Sequence, residues 1–260
     1  MSSWIIKRNV APRKKKVVLN YYDASKSTDM ITVYLEYLSA FIYSQKMGEP
    51  CAVWDPSNIL ENTLRQPIQV KFLKEVSEEA NALSIDTFKP IIAPLKFKEI
   101  QKIAADTLFY DQAFNRAVVG VIQKAGIKDI FDFGFHLVKD ISGPNLTAFK
   151  IYSELLKEYQ KKTKKPSLLV YIMADNYSLI TQFQTYCDPS WKIVSLSKIV
   201  PVSADDAFIQ LMADIQIMTA LPALALDFSR SVDRYIYLMQ RYRGGLLYFK
   251  EVKDKEWNLI

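Results

Sequence analysis

The stretch that decides the fold starts with Val17-Val-Leu-Asn-Tyr-Tyr22, runs through Asp23-Ala-Ser-Lys-Ser-Thr28 and a helical segment from about Asp29 to Met47, and closes with Cys51-Ala-Val-Trp54. Its first piece is a β-branched and aromatic run with charge on one side and a polar turn on the other, which reads as a buried strand followed by a loop. Val33, Tyr34, Tyr37, Leu38, Phe41 and Ile42 then recur at three- and four-residue steps. That spacing predicts a helix, and Gly48 is placed to stop it. Cys51 to Trp54 reads as a second strand, closed by Asp55-Pro56. A strand, helix and strand so closely spaced form a βαβ unit, whose right-handed crossover makes the two strands parallel.

Working outward, Val70-Lys-Phe-Leu73 reads as a third short strand after a helix near residues 58 to 65. The segment from Lys96 to Lys124 reads as helical throughout, with Pro90 and Pro94 before it as breakers. The chain is expected to cross there between two lobes. From residue 130 the alternation restarts. Strands are predicted at 131–138, 168–174, 192–196 and 223–227, with helices near 147–161, 177–186, 204–219 and 230–241. All but the 192–196 strand are nearly all apolar, as strands covered on both faces are. The run Gly244-Gly-Leu-Leu-Tyr-Phe-Lys250 reads as an extra strand or a folded-back tail, of unread direction. The expected architecture is α/β, with two Rossmann-like lobes that each hold a parallel sheet. A basic N-terminal arm (1–16) would precede an N-terminal lobe with its helical crossover (17–125) and a C-terminal lobe (126–260).

Composition narrows the function. Of 260 residues half are hydrophobic, enough to bury a sizeable core. No apolar run reaches the roughly 18 residues of a membrane span, and Met1-Ser-Ser-Trp-Ile-Ile6 precedes its charges, the reverse of a signal peptide. The expectation is a soluble, cytoplasmic chain. The net charge of +6 is 34 basic minus 28 acidic residues, partly concentrated in Lys7, Arg8, Arg13, Lys14, Lys15 and Lys16. Such an arm reads first as a solvated leader, and nucleic-acid binding through it is the least favoured reading. Cys51 and Cys187 are far apart and His136 is the sole histidine, which excludes a disulfide framework and a zinc site of the usual type. Tyr22-Asp-Ala-Ser-Lys-Ser27 holds no glycine, which counts against a P-loop enzyme or a dinucleotide dehydrogenase, and no Gly-x-Ser-x-Gly elbow is present.

Ligands of open α/β sheets bind outside the carboxyl ends of the strands. That rule selects His136, Lys139 and Asp140, then Asp175-Asn176, then Asp227-Phe-Ser229. Ser229 is expected as an N-cap whose helix start would hold a phosphate, with Arg230 at the cap and Arg234 one turn further in. A lone His on an apolar strand is by default a packed residue, Lys139-Asp140 a solvated pair, and Asp175-Asn176 a turn and cap. Asp214 sits among Met212, Ile215, Ile217 and Met218, and an acid on so apolar a stretch needs a partner. Ser203-Ala-Asp-Asp206 reads as a capping box.

Four stretches together resemble a known family: Gly134-Phe-His-Leu-Val-Lys-Asp140, Tyr171-Ile-Met-Ala-Asp-Asn176, Met212-Ala-Asp-Ile-Gln216 and Asp227-Phe-Ser-Arg-Ser-Val-Asp-Arg234. Their order and spacing are similar to the C-terminal half of the α1,6-fucosyltransferases and their nodulation and protein O-fucosyltransferase relatives. That family has a strand ending in His-x-Arg-Arg, a strand with Ala-Thr-Asp-Asp, a helix with Leu-Asp, and a strand running into Phe-Ser-Ser-x-Val-x-Arg. The resemblance implies a GT-B-like glycosyltransferase that binds a GDP-sugar in its second lobe, without a metal or other cofactor, and moves the sugar, fucose by family, with inversion to a glycan or glycoprotein acceptor. His136 would contact the donor's phosphate or sugar. Asp175 and Asp214 would hold ribose, base or neighbouring loops, and Ser229 would lie at the diphosphate with Arg234 in the same motif. The chain departs where the family's two arginines fall on Val138 and Lys139. Lys offers a point charge in place of a bidentate guanidinium, so Arg230 or Lys139 would take over the clamp. Asp140 is then the local general base. The alternative is a catalytically inactive glycosyltransferase-like scaffold or interaction protein.

Overall fold

The structure is a computed structural model that describes residues 20–27, 29–65, 70–73, 75–76, 80–128, 130–139, 146–199, 201, 203–240, 246–249 and 258–259. The basic arm, the start of the predicted first strand at Val17 to Leu19, and Asp140 lie outside the described residues.

Two parallel sheets organise the chain, as the sequence predicts. The first contains β1 (Asn20–Asp23), β2 (Cys51–Trp54), β3 (Val70–Leu73) and β4 (Asn81–Leu83) in the order β3-β2-β1-β4. β1 pairs with β2 in the register Asn20 with Cys51 through Asp23 with Trp54. The crossover between them is α1 (Met30–Met47). Asp29 caps it, accepting the Ile31 and Thr32 backbone N–H groups at 2.9 and 2.8 Å, and Gly48 ends it in the left-handed conformation at φ 66°. Such a cap is worth about 1 kcal/mol. Most of α1 is buried up to Ser44, well beyond the stripe read from its spacing, because the helix lies between its own sheet and the second half of the chain.

The second sheet contains β5 (Phe133–Leu137), β6 (Leu169–Ala174), β7 (Lys192–Val194), β8 (Ala223–Leu226) and β9 (Leu246–Phe249), in the order β7-β6-β5-β8-β9. β9 joins parallel to β8, which settles the direction of the tail. The order 3-2-1-4-5 is that of a doubly wound sheet with its switch point between β5 and β8. One face, with Phe133, Phe135, Val170, Ile172 and Ala225, packs under α6 (Leu146–Thr163) and α7 (Tyr177–Gln184). The other carries Tyr171, Met173, Leu224 and Leu226 against α8 (Ala204–Met218) and α9 (Ser231–Met239), in a core continuous with the first half of the chain. Gly134 permits this closeness: a Cβ there would lie 2.3 Å from Leu221 Cδ1 and 2.8 Å from Met218 Sδ.

The middle departs from expectation. α2 (Ile59–Thr63) is followed by α3 (Ile85–Ile92), which holds Pro90 inside it. Pro90 removes one helical hydrogen bond, but it does not break the helix as predicted. The single helix expected over 96–124 is two, α4 (Phe97–Thr107) and α5 (Gln112–Lys124). The break is tertiary in origin. Arg65 N–H donates to Phe109 O at 2.7 Å and Asp111 N–H to Thr63 O at 2.8 Å, pulling 108–111 out of the helix, and Asp111 then caps α5 through Ala113 N–H at 2.7 Å. Ser203 caps α8 through Asp206 N–H at 3.0 Å, as its capping-box pattern predicts. Among the described residues no helix is long and apolar enough to cross a membrane.

Candidate functional site

Three side chains meet at the carboxyl ends of the second sheet, beside its switch point. His136 is the penultimate residue of β5, Asp175 follows β6 directly, and Asp227 follows β8 directly. A fourth, Asp233, reaches them from α9. His136 and Asp233 are 8% and 1% exposed, so each charge must find its partner inside the protein. The His136 Nδ1 lies 3.0 Å from Asp233 Oδ1, and Asp233 Oδ2 accepts the Asp227 backbone N–H at 2.8 Å. Asp233 therefore ties β5 to the exit of β8. On the other ring nitrogen, Nε2 is 3.8 Å from Asp175 Oδ1, longer than a hydrogen bond, so that pair attracts through space. Asp175 Oδ2 accepts the Lys139 backbone N–H at 2.9 Å, which fixes the chain as it leaves β5.

The charge states follow from these contacts. Burial alone lowers the imidazole pKa, but Asp233 and Asp175 reverse the sign and raise it to about 9, so His136 is an imidazolium at neutral pH. Burial disfavours ionised Asp175, yet His136, the Lys139 N–H and Arg230 hold its carboxyl below the usual range. Asp227 is likewise burdened by burial and held low by Ser229 and Arg230. Its Oδ1 accepts both the N–H (3.0 Å) and the hydroxyl of Ser229, and its Oδ2 accepts Arg230 Nε–H at 3.2 Å.

The predicted residues thus separate. His136, Asp175 and Arg230 are brought together, and Lys139 joins them through its main chain with its side chain exposed. Ser229 is not the N-cap: Arg230 is, and the Ser229 hydroxyl is turned back onto Asp227, whose carboxylate closes the short Asp227-Phe-Ser turn. Arg234 points towards the first half of the chain, donating to Asn258 Oδ1 at 3.0 Å and lying near Asp29. Asp214 does have the partner its apolar setting demands, accepting the Tyr171 hydroxyl at 2.6 Å, but it is 5% exposed and faces the core. Burial pushes its carboxyl up to about 7, against the Tyr171 bond and the nearby His136 charge. Asn176 caps α7 through Leu179 N–H at 3.3 Å, leaving Asp175 to face His136. Sequence reasoning missed Asp233. Its signal was present, since it is an acid among Val232, Tyr235 and Ile236, the same pattern that singled out Asp214.

The first half of the chain comes up to the site through Asp29, whose Oδ2 accepts the Ser231 hydroxyl at 2.9 Å. A cavity of about 1050 Å³ lies elsewhere, lined by Phe41, Ser44, Lys46, Glu99, Ile103 and Thr107 at the far end of α1 from Asp29, and none of the strand-tip residues borders it.

Known structures share this architecture. The fucosyltransferase NodZ from Bradyrhizobium superposes at a TM-score of 0.57 with 10% identity, over 85% of this chain and 93% of that one. FUT1 of Arabidopsis thaliana, as a mutant in complex with GDP, gives 0.63 and 9% over 90% of this chain and 70% of its own. POFUT1 in complex with GDP gives 0.53 and 9% over 91% and 99%. The chain has a fucosyltransferase-like fold. No protein-family model matches the sequence, and no curated protein sequence does. The fucosyltransferase-like fold is therefore carried by architecture, with three motifs at strand ends and one within α8 as its degenerate sequence trace.

Proposed function

We propose that this chain is a glycosyltransferase that binds a GDP-sugar at the tips of the second sheet and transfers the sugar, fucose in the first instance, to a glycan or glycoprotein acceptor with inversion. The observation that carries this reading is the charged His136 held at the switch point between β5 and β8, in a fold shared with proteins whose structures contain GDP. His136 and Arg230, with Lys139 beside them, offset the charge that develops on the departing diphosphate without a metal ion. In this reading Ser229 shapes the turn that carries Arg230, Arg234 anchors α9 against Asn258, and Asp214 lies in the core behind Tyr171, so these three act on the site indirectly. Asp175 is a poor base because its pKa is held low, so Asp140 is the group that accepts the proton of the acceptor hydroxyl. Residues 17–125 form the acceptor lobe and 126–260 the donor lobe.

The test is GDP release from GDP-fucose in the presence of a glycan or glycopeptide panel, with and without EDTA. Release that survives EDTA and is abolished by His136→Ala and Asp140→Asn supports the reading. A second reading, a scaffold without transfer activity, is favoured by Val138 at the exit of β5 and by Asp227 holding the Arg230 guanidinium. GDP binding with no turnover on any acceptor, and no hydrolysis, would select it.

A further inference from the structure

We propose that Asp233 is a positioning residue: it fixes the His136 ring through Nδ1 and presents Nε2–H at the strand tips as a cationic donor for an anionic oxygen of the ligand. This deepens the donor-binding reading and rests on it for the ligand, although the role of Asp233 towards His136 stands on geometry alone. The Asp233 carboxylate is spanned, with Oδ1 on the imidazole at 3.0 Å and Oδ2 on the Asp227 N–H at 2.8 Å, so it cannot rotate without breaking one of two buried bonds. The His136 main chain is held as well, since its carbonyl accepts the Tyr152 hydroxyl at 3.2 Å. Only Nε2 is left facing the tips, where Asp175, 43% exposed, stands 3.8 Å away with its other oxygen committed to Lys139 N–H. A phosphate oxygen that approaches Nε2 meets a donor already oriented and already charged, which lowers the reorganisation it must drive.

The groups that face the imidazole come from each packed element: Asp233 from α9, Asp175 from the end of β6, and the more distant Asp214 from α8. Arg230, the N-cap of α9, acts on Asp175 and favours its ionised form. Two carboxylates close to the ring outweigh burial, consistent with a pKa raised to about 9.

His136 being the sole histidine makes the test direct. An untagged chain labelled with ¹⁵N-histidine is titrated by NMR from pH 5 to 10. Wild type is expected to stay doubly protonated well above neutrality, with Nδ1–H protected from exchange. Asp233→Asn is expected to lower the midpoint by at least one pH unit, roughly tenfold in proton affinity, and Asp233→Glu to restore part of it. Asp175→Asn should have the smaller effect. A wild-type midpoint near the 6.5 of a free imidazole, or a midpoint indifferent to Asp233→Asn, overturns the proposal, and the wild-type titration decides it even if the variant does not fold. Calorimetry with GDP on the same samples separates the two ideas. A normal imidazole titration with no GDP binding at any pH removes the donor reading and leaves Asp233 in its role. GDP binding with an unshifted imidazole does the reverse.

Discussion

The Ser231 hydroxyl donates to Asp29 Oδ2 at 2.9 Å, so the first residues of α9 and the cap of α1 are joined across the two halves of the chain. Asp29 serves both ends of that contact, capping its own helix and receiving the other one. Beneath it, Tyr110 and Tyr235 share a hydrogen bond between their hydroxyls, and Phe97 stacks on Tyr237 at 4.5 Å between ring centroids. The two sheets are thus held by a common buried core, which sets where the second sheet's tips stand relative to α1.

Replacing Asp29 with Ala removes two cap bonds and the interlobe acceptor at once. The expected loss is about 1–2 kcal/mol, against about 0.5–1 kcal/mol for Ser231→Ala. Urea unfolding checks both, and a double-mutant cycle should show coupling because the residues touch. Additive losses would mean that the contact contributes nothing.

Gly134→Ala should destabilise by about 1–3 kcal/mol, because its new methyl enters the space held by Leu221 and Met218. Gly48 has open space around its Cβ, so the cost there comes only from its left-handed backbone and should be smaller. Chemical denaturation of the two variants ranks them, and equal losses would contradict the packing argument.

Stability should decline from mildly acidic to alkaline pH. Asp214 has a folded pKa near 7 against 3.8 for a free carboxyl, so the folded state holds its proton more tightly and loses that advantage as pH rises through this range. His136, raised from 6.5 to about 9, contributes stability that is complete below 6.5 and lost as pH rises through 9. Asp175 and Asp227 are depressed and act oppositely, losing stability only as pH falls below the usual carboxylate range. Thermal melts across pH 4 to 10 should therefore peak on the acid side. Asp214→Asn should flatten the profile between 4 and 7 and spare the fall towards 9, whereas stability that climbs steadily from pH 5 to 9 would refute both assignments.

Tyr171→Phe takes the hydroxyl donor from the Asp214 carboxyl in a buried setting, at an expected cost of about 1–3 kcal/mol. The penalty should grow with pH, as the carboxyl must ionise without the hydroxyl. Equilibrium unfolding at pH 5 and pH 8 measures this, and a pH-independent loss would show that the Tyr171 hydroxyl does not serve the charged form.

Much of this was readable in the residues, and the gaps have physical causes. Cys51–Trp54 and Val70–Leu73 occupy their predicted positions, and the apolar runs around Phe135 and Ile172 announce strands covered on both faces. β4 was invisible because Asn81-Ala-Leu83 is three residues long and mostly exposed, with no alternation to read. The break between α4 and α5 is imposed by Thr63 and Arg65, which lie far away in sequence, although Asp111 offered a capping signal. At the site, the strand-end rule selected His136, Asp175 and Asp227, which do stand together at the sheet's tips, but it could not show that the Asp227 turn would consume Ser229. Asp233 carried the same signal as Asp214, an acid among apolar neighbours, but its partner His136 comes from another element, and a charge pair across the fold leaves no spacing pattern to name it.

The most direct test of the account is a calorimetric and thermal-shift panel of GDP, GDP-fucose, UDP- and dTDP-sugars against the wild-type chain and His136→Ala. Saturable binding of the guanine nucleotides, weakened at least tenfold in the variant and absent for the other bases, is the predicted result. Silence towards every nucleotide, or GDP affinity unchanged when the imidazole is removed, would contradict a donor site at the tips of the second sheet.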